Sequence, residues 1–360
     1  MIVRTPGRRL AAALESGALA RVLPSALSLP WARFARAERP LPVASRARVV
    51  GVGGALLGGS GKTPLSQALA LALGQRGLRV ALACSTHPIR RRNATRTLPD
   101  ARVDEVGDEA LMLARTLTPA EVPVFASSPR AHAVAEATTV ADVVVADGLL
   151  QARPRLTASL LAVDAYAPWG SGYFPPLGDL RLTRKRALAA CDAVVRIGVP
   201  AQRDVDQYGG KPVFDVGLTL HGARLADGTL VDVEQLRRLR VGVALGLARP
   251  ERVLRLLAQH GIHPERVRLA ADHRVALPDD RPGVDLWLVT AKCAVKLEGR
   301  GRGPDPARLE VAWQLGDPLI SFVFSKCRGS VTECVSGREE SFDHVVESRA
   351  CLPSERLPAV

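Results

Sequence analysis

The chain has 360 residues, 47% of them apolar and 24% charged, and a formal net charge of +13. That length and apolar content suit about two α/β domains of a soluble or membrane-peripheral protein and exclude a disordered or fibrous chain. The positive charge fits an anionic membrane or a phosphorylated substrate. With aromatic residues at only 4% and no basic stretch interleaved with stacking rings, no nucleic-acid partner is expected.

Residues 1–47 mix arginines with Leu14, Leu19, Val22, Leu23, Leu27, Leu29, Trp31 and Phe34, and carry only Glu15 and Glu38 as acids. This pattern predicts an N-terminal amphipathic segment lying on an anionic bilayer; a helical hairpin packed on the protein, broken at Pro24 and Pro30, is the other reading. Glu15 and Gly17 interrupt the apolar stretch that a secretory signal would need. No run of about 18 uncharged apolar residues suggests a transmembrane helix. The six cysteines, at 84, 191, 293, 327, 334 and 351, form no Cys-x-x-Cys pair and read as reduced thiols.

An apolar run at Val49–Val52 leads into Gly58-Gly59-Ser60-Gly61-Lys62-Thr63-Pro64 and then into a helix-like pattern from Leu65 to Leu73. Strand, glycine-rich turn and helix form the context of a phosphate-binding loop. Glycines let backbone N–H groups approach phosphate oxygens, the lysine supplies a point charge, and the threonine hydroxyl can hold Mg²⁺. The usual first glycine, five residues before Gly61, is Leu56 here. The predicted nucleotide-holding stretch is Leu56, Leu57, Gly58, Gly59, Ser60, Gly61, Lys62 and Thr63.

Strand-like and helix-like segments then alternate: Leu78–Cys84, Asp108–Leu117, Val122–Ala126, Pro129–Ala137 and Asp142–Ala146. Alternation of this kind predicts right-handed βαβ units and a parallel sheet flanked by helices. The continuously apolar strand ending at Ala146 runs into Asp147-Gly148, where a carboxylate can engage Mg²⁺ near the phosphates, or merely form a turn. A Pro- and Gly-rich stretch, 168–181, predicts a long loop. A second, smaller α/β unit follows, with strands at Ala193–Ile197, Arg240–Leu247, Val267–Ala270 and Leu286–Thr290 and a helix at Pro250–His260. The expected division is 1–47, 48–215, 216–315 and an irregular tail from 316 to 360.

These segments, over roughly residues 35–315, resemble the tetraacyldisaccharide 4′-kinases, the P-loop kinases of lipid A assembly. Val52-Gly53-Gly54 and Leu57–Pro64 look like the family's Val-Gly-Asn and Gly-Gly-Thr-Gly-Lys-Thr-Pro; Gly107-Asp108-Glu109 matches its Gly-Asp-Glu. Ser128-Pro129-Arg130 falls where the family carries an arginine before a helix. Gly178-Asp179-Leu180-Arg181 is similar to Gly-Pro-Leu-Arg, Ala248-Arg249-Pro250-Glu251-Arg252 to Ala-Asn-Pro-Glu-Arg, and Asp272-His273 to an Asp-His pair. Thr290, Lys292 and Lys296 echo a Thr-Glu-Lys-Asp segment. Departures cluster near the chemistry: Ala146 replaces a carboxylate, a histidine is missing after Gln151, Ser85-Thr86-His87-Pro88 replaces Ser-Arg-Gly-Tyr, and Ala291 and Cys293 replace Glu and Asp.

The resemblance implies an ATP- and Mg²⁺-dependent kinase, held on the cytoplasmic face of the bacterial inner membrane, that phosphorylates the 4′-hydroxyl of tetraacyldisaccharide 1-phosphate. In that reading Lys62 contacts the phosphates, Thr63, Asp147 and Glu109 organise Mg²⁺, and Asp108 is the general base paired with His273. Arg130 and Arg181 bind substrate phosphate. Asp108 and Glu109 also suit the first turn of a helix. A non-catalytic nucleotide-binding paralogue, or a kinase of another lipid-linked sugar, fits the departures.

Overall fold

The computed structural model describes residues 2–34, 39–41, 47–86, 89, 92–198, 206–277, 283–298 and 305–328. His87, Pro88, Arg90, Arg91, Cys334, Cys351 and the tail beyond 328 lie outside the described residues.

The N-terminal part forms β1 (Ile2–Arg4), α1 (Pro6–Ser16), α2 (Leu29–Phe34) and β2 (Arg39–Pro40). The nucleotide half follows with β3 (Arg48–Gly53), α3 (Lys62–Gly74), β4 (Val80–Cys84), β5 (Thr95–Thr97), α4 (Val103–Val106), α5 (Asp108–Leu117), β6 (Val124–Ala126), α6 (Arg130–Val140) and β7 (Val143–Asp147). It continues through β8 (Ala152–Arg153), β9 (Ala158–Asp164), α7 (Arg184–Ala190) and β10 (Ala193–Ile197). The second half contains β11 (Val213–Arg224), β12 (Leu230–Asp232), α8 (Val233–Arg238), β13 (Val241–Gly246), α9 (Glu251–Gln259), β14 (Arg266–Ala270), β15 (Leu286–Val289), α10 (Ala291–Leu297), β16 (Ala307–Leu315) and α11 (Asp317–Arg328).

One mostly parallel sheet runs through both halves in the order β1-β14-β13-β15-β16-β11-β10-β9-β3-β7-β4-β6-β5, with β12 beside β11. The expected α/β architecture is therefore present. The boundary expected at 215/216 falls inside β11, which pairs in parallel with β10 and antiparallel with β16. The two halves share a sheet while keeping separate apolar cores. One core lies under α3, α5 and α11, around Leu65, Leu69, Leu113 and Val145; the other surrounds Val243, Leu245, Leu257 and Leu288.

One sequence expectation needs correction. Residues 317–328 are a helix rather than irregular tail. Leu319, Ile320, Val323 and Cys327 recur at helical spacing and are buried against the nucleotide half, and Arg76 at the end of α3 bonds Asp317 at 2.7 Å. The N-terminal part packs on the second half of the chain. β1 extends the sheet beside β14, and Arg8 on α1 is only 1% exposed, bonded to Glu15 at 2.7 and 2.8 Å, to Glu251 at 3.0 Å and to the Ala248 carbonyl at 3.0 Å. A buried guanidinium requires such partners, and α1 is thereby docked at the start of α9. Among the described residues no helix is long and apolar enough to cross a membrane. Cys84, Cys191, Cys293 and Cys327 are free and buried.

Candidate active site

Parallel pairing of β3 with β7 sets Val52 opposite Asp147, so the loop leaving β3 emerges beside that carboxylate at the carboxyl edge of the sheet, where α/β folds hold their ligands. The helix after the loop begins at Lys62, capped by Gly61 at φ 80°. This left-handed turn aims the first amides of α3 outward and is costly for any residue with a Cβ. The Thr63 hydroxyl donates to Asp147 at 2.9 Å and Ser66 donates to its other oxygen at 3.0 Å. Burial raises the Asp147 pKa, the charge of Glu109 adding to that effect against Arg130 and Lys62. Burial likewise lowers the Lys62 pKa, opposed by Asp147 and Glu109. A hard divalent cation takes hydroxyl and carboxylate oxygens and keeps several sites for phosphate and water, so the Thr63–Asp147 pair fits Mg²⁺ and would relieve the strain of a buried carboxylate.

Leu56 and Leu57 are placed differently from the rest of the predicted stretch. Leu56 bridges Leu180, and the Leu57 amide donates to the Asp179 carbonyl at 2.9 Å. The Leu57 amide is thus committed to the 168–181 loop.

Across the cleft, the start of α5 meets the second half of the chain. Asp108, 2% exposed, accepts from His273 Nδ1 at 3.0 Å and lies 2.9 Å from Lys296 Nζ. Lys292 lies between Glu109 at 2.9 Å and Asp272 at 2.8 Å. The two lysines are four residues apart on α10, hence on one helix face, and α10 packs on α5. Burial alone would push the Asp108 carboxyl up. The His273 hydrogen bond, with the charges of Lys292 and His273 and the Lys296 hydrogen bond, outweighs it and holds Asp108 well below the usual carboxylate range. Burial opposes the charge on Lys292, but Glu109, Asp272 and Asp108 more than compensate and raise its pKa. His273 has φ 62°, an unusual conformation for a residue with a side chain, fixed here by its amide donating to Asp272 at 3.0 Å and by Lys296 donating to its carbonyl.

Lys62, Thr63, Glu109, Arg130, Asp147, Arg181 and His273 all line one cleft of about 1150 Å³. Arg130 donates to the Gly148 carbonyl at 3.2 Å and borders a recess with Gly148, Gln151 and Arg181. Ala146 instead belongs to the core beneath α6, on the opposite face of β7 from Asp147 because side chains alternate along a strand. Cys293 is buried and accepts from the Gly246 amide at 3.4 Å.

Sequence reading gave no role to Lys292, Lys296 and Asp272, although each lies in a motif that it quoted. It also missed two cations on the phosphate loop. Arg252 bonds Asp164 at 2.9 Å through Nε and the Gly59 carbonyl at 2.8 Å, and Arg249 pairs with Asp179. Asp179 and Arg249 are 70 positions apart, and the fold brings them into contact.

The family model described as tetraacyldisaccharide-1-P 4′-kinase matches residues 24–319. A tetraacyldisaccharide 4′-kinase of Chromobacterium violaceum is 32% identical over 252 residues, covering 69% of this chain and 74% of the relative. That of Geobacter sulfurreducens is 29% identical over 342 residues, covering 85% and 97%. Among solved structures, the LpxK of Aquifex aeolicus in complex with ATP superposes with a TM-score of 0.61 at 21% identity, covering 83% of this chain and 96% of that one, a likeness of fold.

Proposed function

The chain belongs to the tetraacyldisaccharide 4′-kinase family, an ATP-dependent group of lipid A phosphotransferases, and from that premise we propose how its own residues divide the work. The observation that carries the reading is the meeting, in one cleft, of the phosphate loop and His273, whose Nδ1 is held by the buried Asp108 of the opposite half of the chain. The amides of Gly58–Thr63 and the Lys62 ammonium hold the β- and γ-phosphates. Thr63 and Asp147 would hold Mg²⁺, with Glu109 beside them; the ion, when bound, neutralises charge on the phosphates. Arg130 and Arg181, around one recess, hold the phosphate of the acceptor disaccharide.

The acceptor hydroxyl gives up its proton to the Asp108–His273 pair as its oxygen attacks the γ-phosphorus, and ADP leaves. Lys292 and Lys296 keep Asp108 ionised and fixed, so that His273 stays oriented through Nδ1. Phosphoryl transfer depends chiefly on positioning and charge neutralisation, and the replacements at Ala146 and Cys293 leave these groups in place. We further read the N-terminal part as the membrane contact on the cytoplasmic face. Leu10, Val22, Leu27 and Leu29 are exposed there, and Trp31, on the following helix, lines the cleft, which gives an acylated acceptor a route from bilayer to site.

The direct test is transfer of labelled γ-phosphate from ATP to tetraacyldisaccharide 1-phosphate in detergent micelles with Mg²⁺. Lys62→Ala is expected to abolish product and Asp108→Asn to lower kcat by about 10²–10⁴-fold. Unchanged turnover in Asp108→Asn would overturn the assignment of the base. Absence of product with the wild-type chain, ATP binding being intact, would favour another lipid-linked acceptor or a nucleotide-binding paralogue.

A further inference from the structure

The phosphate loop is held from outside by the other half of the chain. Gly59 sits at φ 74°, and a Cβ built there would lie 2.5 Å from Cγ of Arg249 and 2.7 Å from its Cδ. The stem of this arginine is therefore packed directly on the loop backbone. Its guanidinium pairs with Asp179, both side chains being almost fully buried. The other Asp179 oxygen, Oδ1, accepts from the Ser171 amide at 3.0 Å and from the Ser171 hydroxyl at 2.9 Å. The Asp179 carbonyl meanwhile takes the Leu57 amide. Arg249 Nε has no hydrogen-bond partner among the described residues, a donor left over beside the loop. Three segments meet at this pair: the phosphate loop, the 168–181 loop and the turn leading from β13 into α9.

From this geometry we propose that the Arg249–Asp179 ion pair positions the nucleotide loop, so that Arg249 is a positioning residue for ATP rather than for the acceptor. The proposal rests on the kinase reading given above. Loop amides bind phosphate well only if they are held in the bound arrangement beforehand, because a loop that must order itself loses that free energy from binding. A buried guanidinium paired with a buried carboxylate, on a glycine that leaves no room for movement, supplies such a hold. Arg252, through Asp164 and the Gly59 carbonyl, braces the same loop from the next turn of α9.

The test measures ATP binding directly by calorimetry on the full chain, with kcat and the two KM values alongside. The variants are Arg249→Met, Asp179→Asn, the double variant, and Arg249→Lys to retain the charge. Single variants are expected to weaken ATP binding and raise its KM about tenfold, with kcat and the acceptor KM within twofold. The double variant should be no worse than either single one, because both remove one interaction, and Arg249→Lys should recover part of the loss. Wild-type ATP affinity in Arg249→Met, an effect confined to kcat or the acceptor KM, or additive losses that track a fall in Tm would each overturn the proposal. A wild-type chain that binds no ATP would instead remove the kinase reading beneath it.

Discussion

Asp108 is the residue in which the electrostatics of the site are most concentrated. Its folded pKa is depressed, so the ionised form contributes stability above the unfolded value of about 3.9, and that contribution is lost as pH falls through the lower folded value. If Asp108 acts in proton removal as proposed, the same cations would set the acid limb of catalysis. Lys292→Met removes one of them from a carboxylate that burial would otherwise protonate. The acid limb of the kcat–pH profile should then move upward by roughly one to three pH units, with the plateau at higher pH less affected. A limb that stays where it is in this variant would show that Lys292 does not hold Asp108 ionised. Both lysines were visible in the sequence, but only the packing of α10 on α5 reveals which carboxylates they face.

At the scale of elements, α1 illustrates how one buried charge sets the place of a helix. Its Thr5 cap accepts from the Arg8 amide, Pro6 begins the helix and Gly17 ends it at φ 66°, all legible signals. Its docking depends instead on Arg8, which joins Glu15 on its own helix to Glu251 and Ala248 at the start of α9. Arg8→Met would strand the partly buried Glu15, whose pKa burial already raises. The expected cost is about 3–5 kcal/mol, read as a lower urea midpoint with an unchanged m-value. A loss below about 1 kcal/mol would mean that the network behaves as a surface pair. Because Ala248 and Glu251 flank Arg249, this variant also reports whether α1 affects the phosphate loop.

Across the whole molecule, one sheet carries the nucleotide half and the His273 half as neighbours, and the N-terminal part adds the exposed apolar side chains Leu10, Val22, Leu27 and Leu29. With no spanning helix among the described residues, attachment to a bilayer would rest on these side chains and on the arginine excess. Val22 is 75% exposed, and a large apolar side chain left so open favours insertion at an interface. Replacing Leu10, Val22, Leu27 and Leu29 together by serine should reduce sedimentation with vesicles containing an anionic lipid at least fivefold, while Arg8 keeps the helix docked. For the wild-type chain, raising the salt should weaken association as surface attraction is screened. A quadruple variant that sediments like the wild type would overturn this membrane assignment.

The amino-acid sequence by itself determined the local signals. The Gly58–Thr63 loop lies between a strand and a helix, the apolar strands β3, β4 and β7 alternate with helices, and Lys62, Thr63 and Asp147 can be picked out because each depends on residues close together in the chain, while Asp108 and His273 were singled out only through the resemblance to the kinase family. Strands β9, β11 and β16 were not anticipated, since their apolar positions acquire meaning only from partners far away in sequence; helix α11 was not anticipated either, although its apolar positions recur at helical spacing. The structure brings Asp108 to His273, as the resemblance implied; tertiary structure alone decided that Lys296 joins them, that Arg8 is buried, and that Asp179 and Arg249, 70 positions apart, close on the phosphate loop. Such contacts are fixed by sheet order and helix packing, and no local pattern encodes the distance between two side chains on opposite halves of a fold.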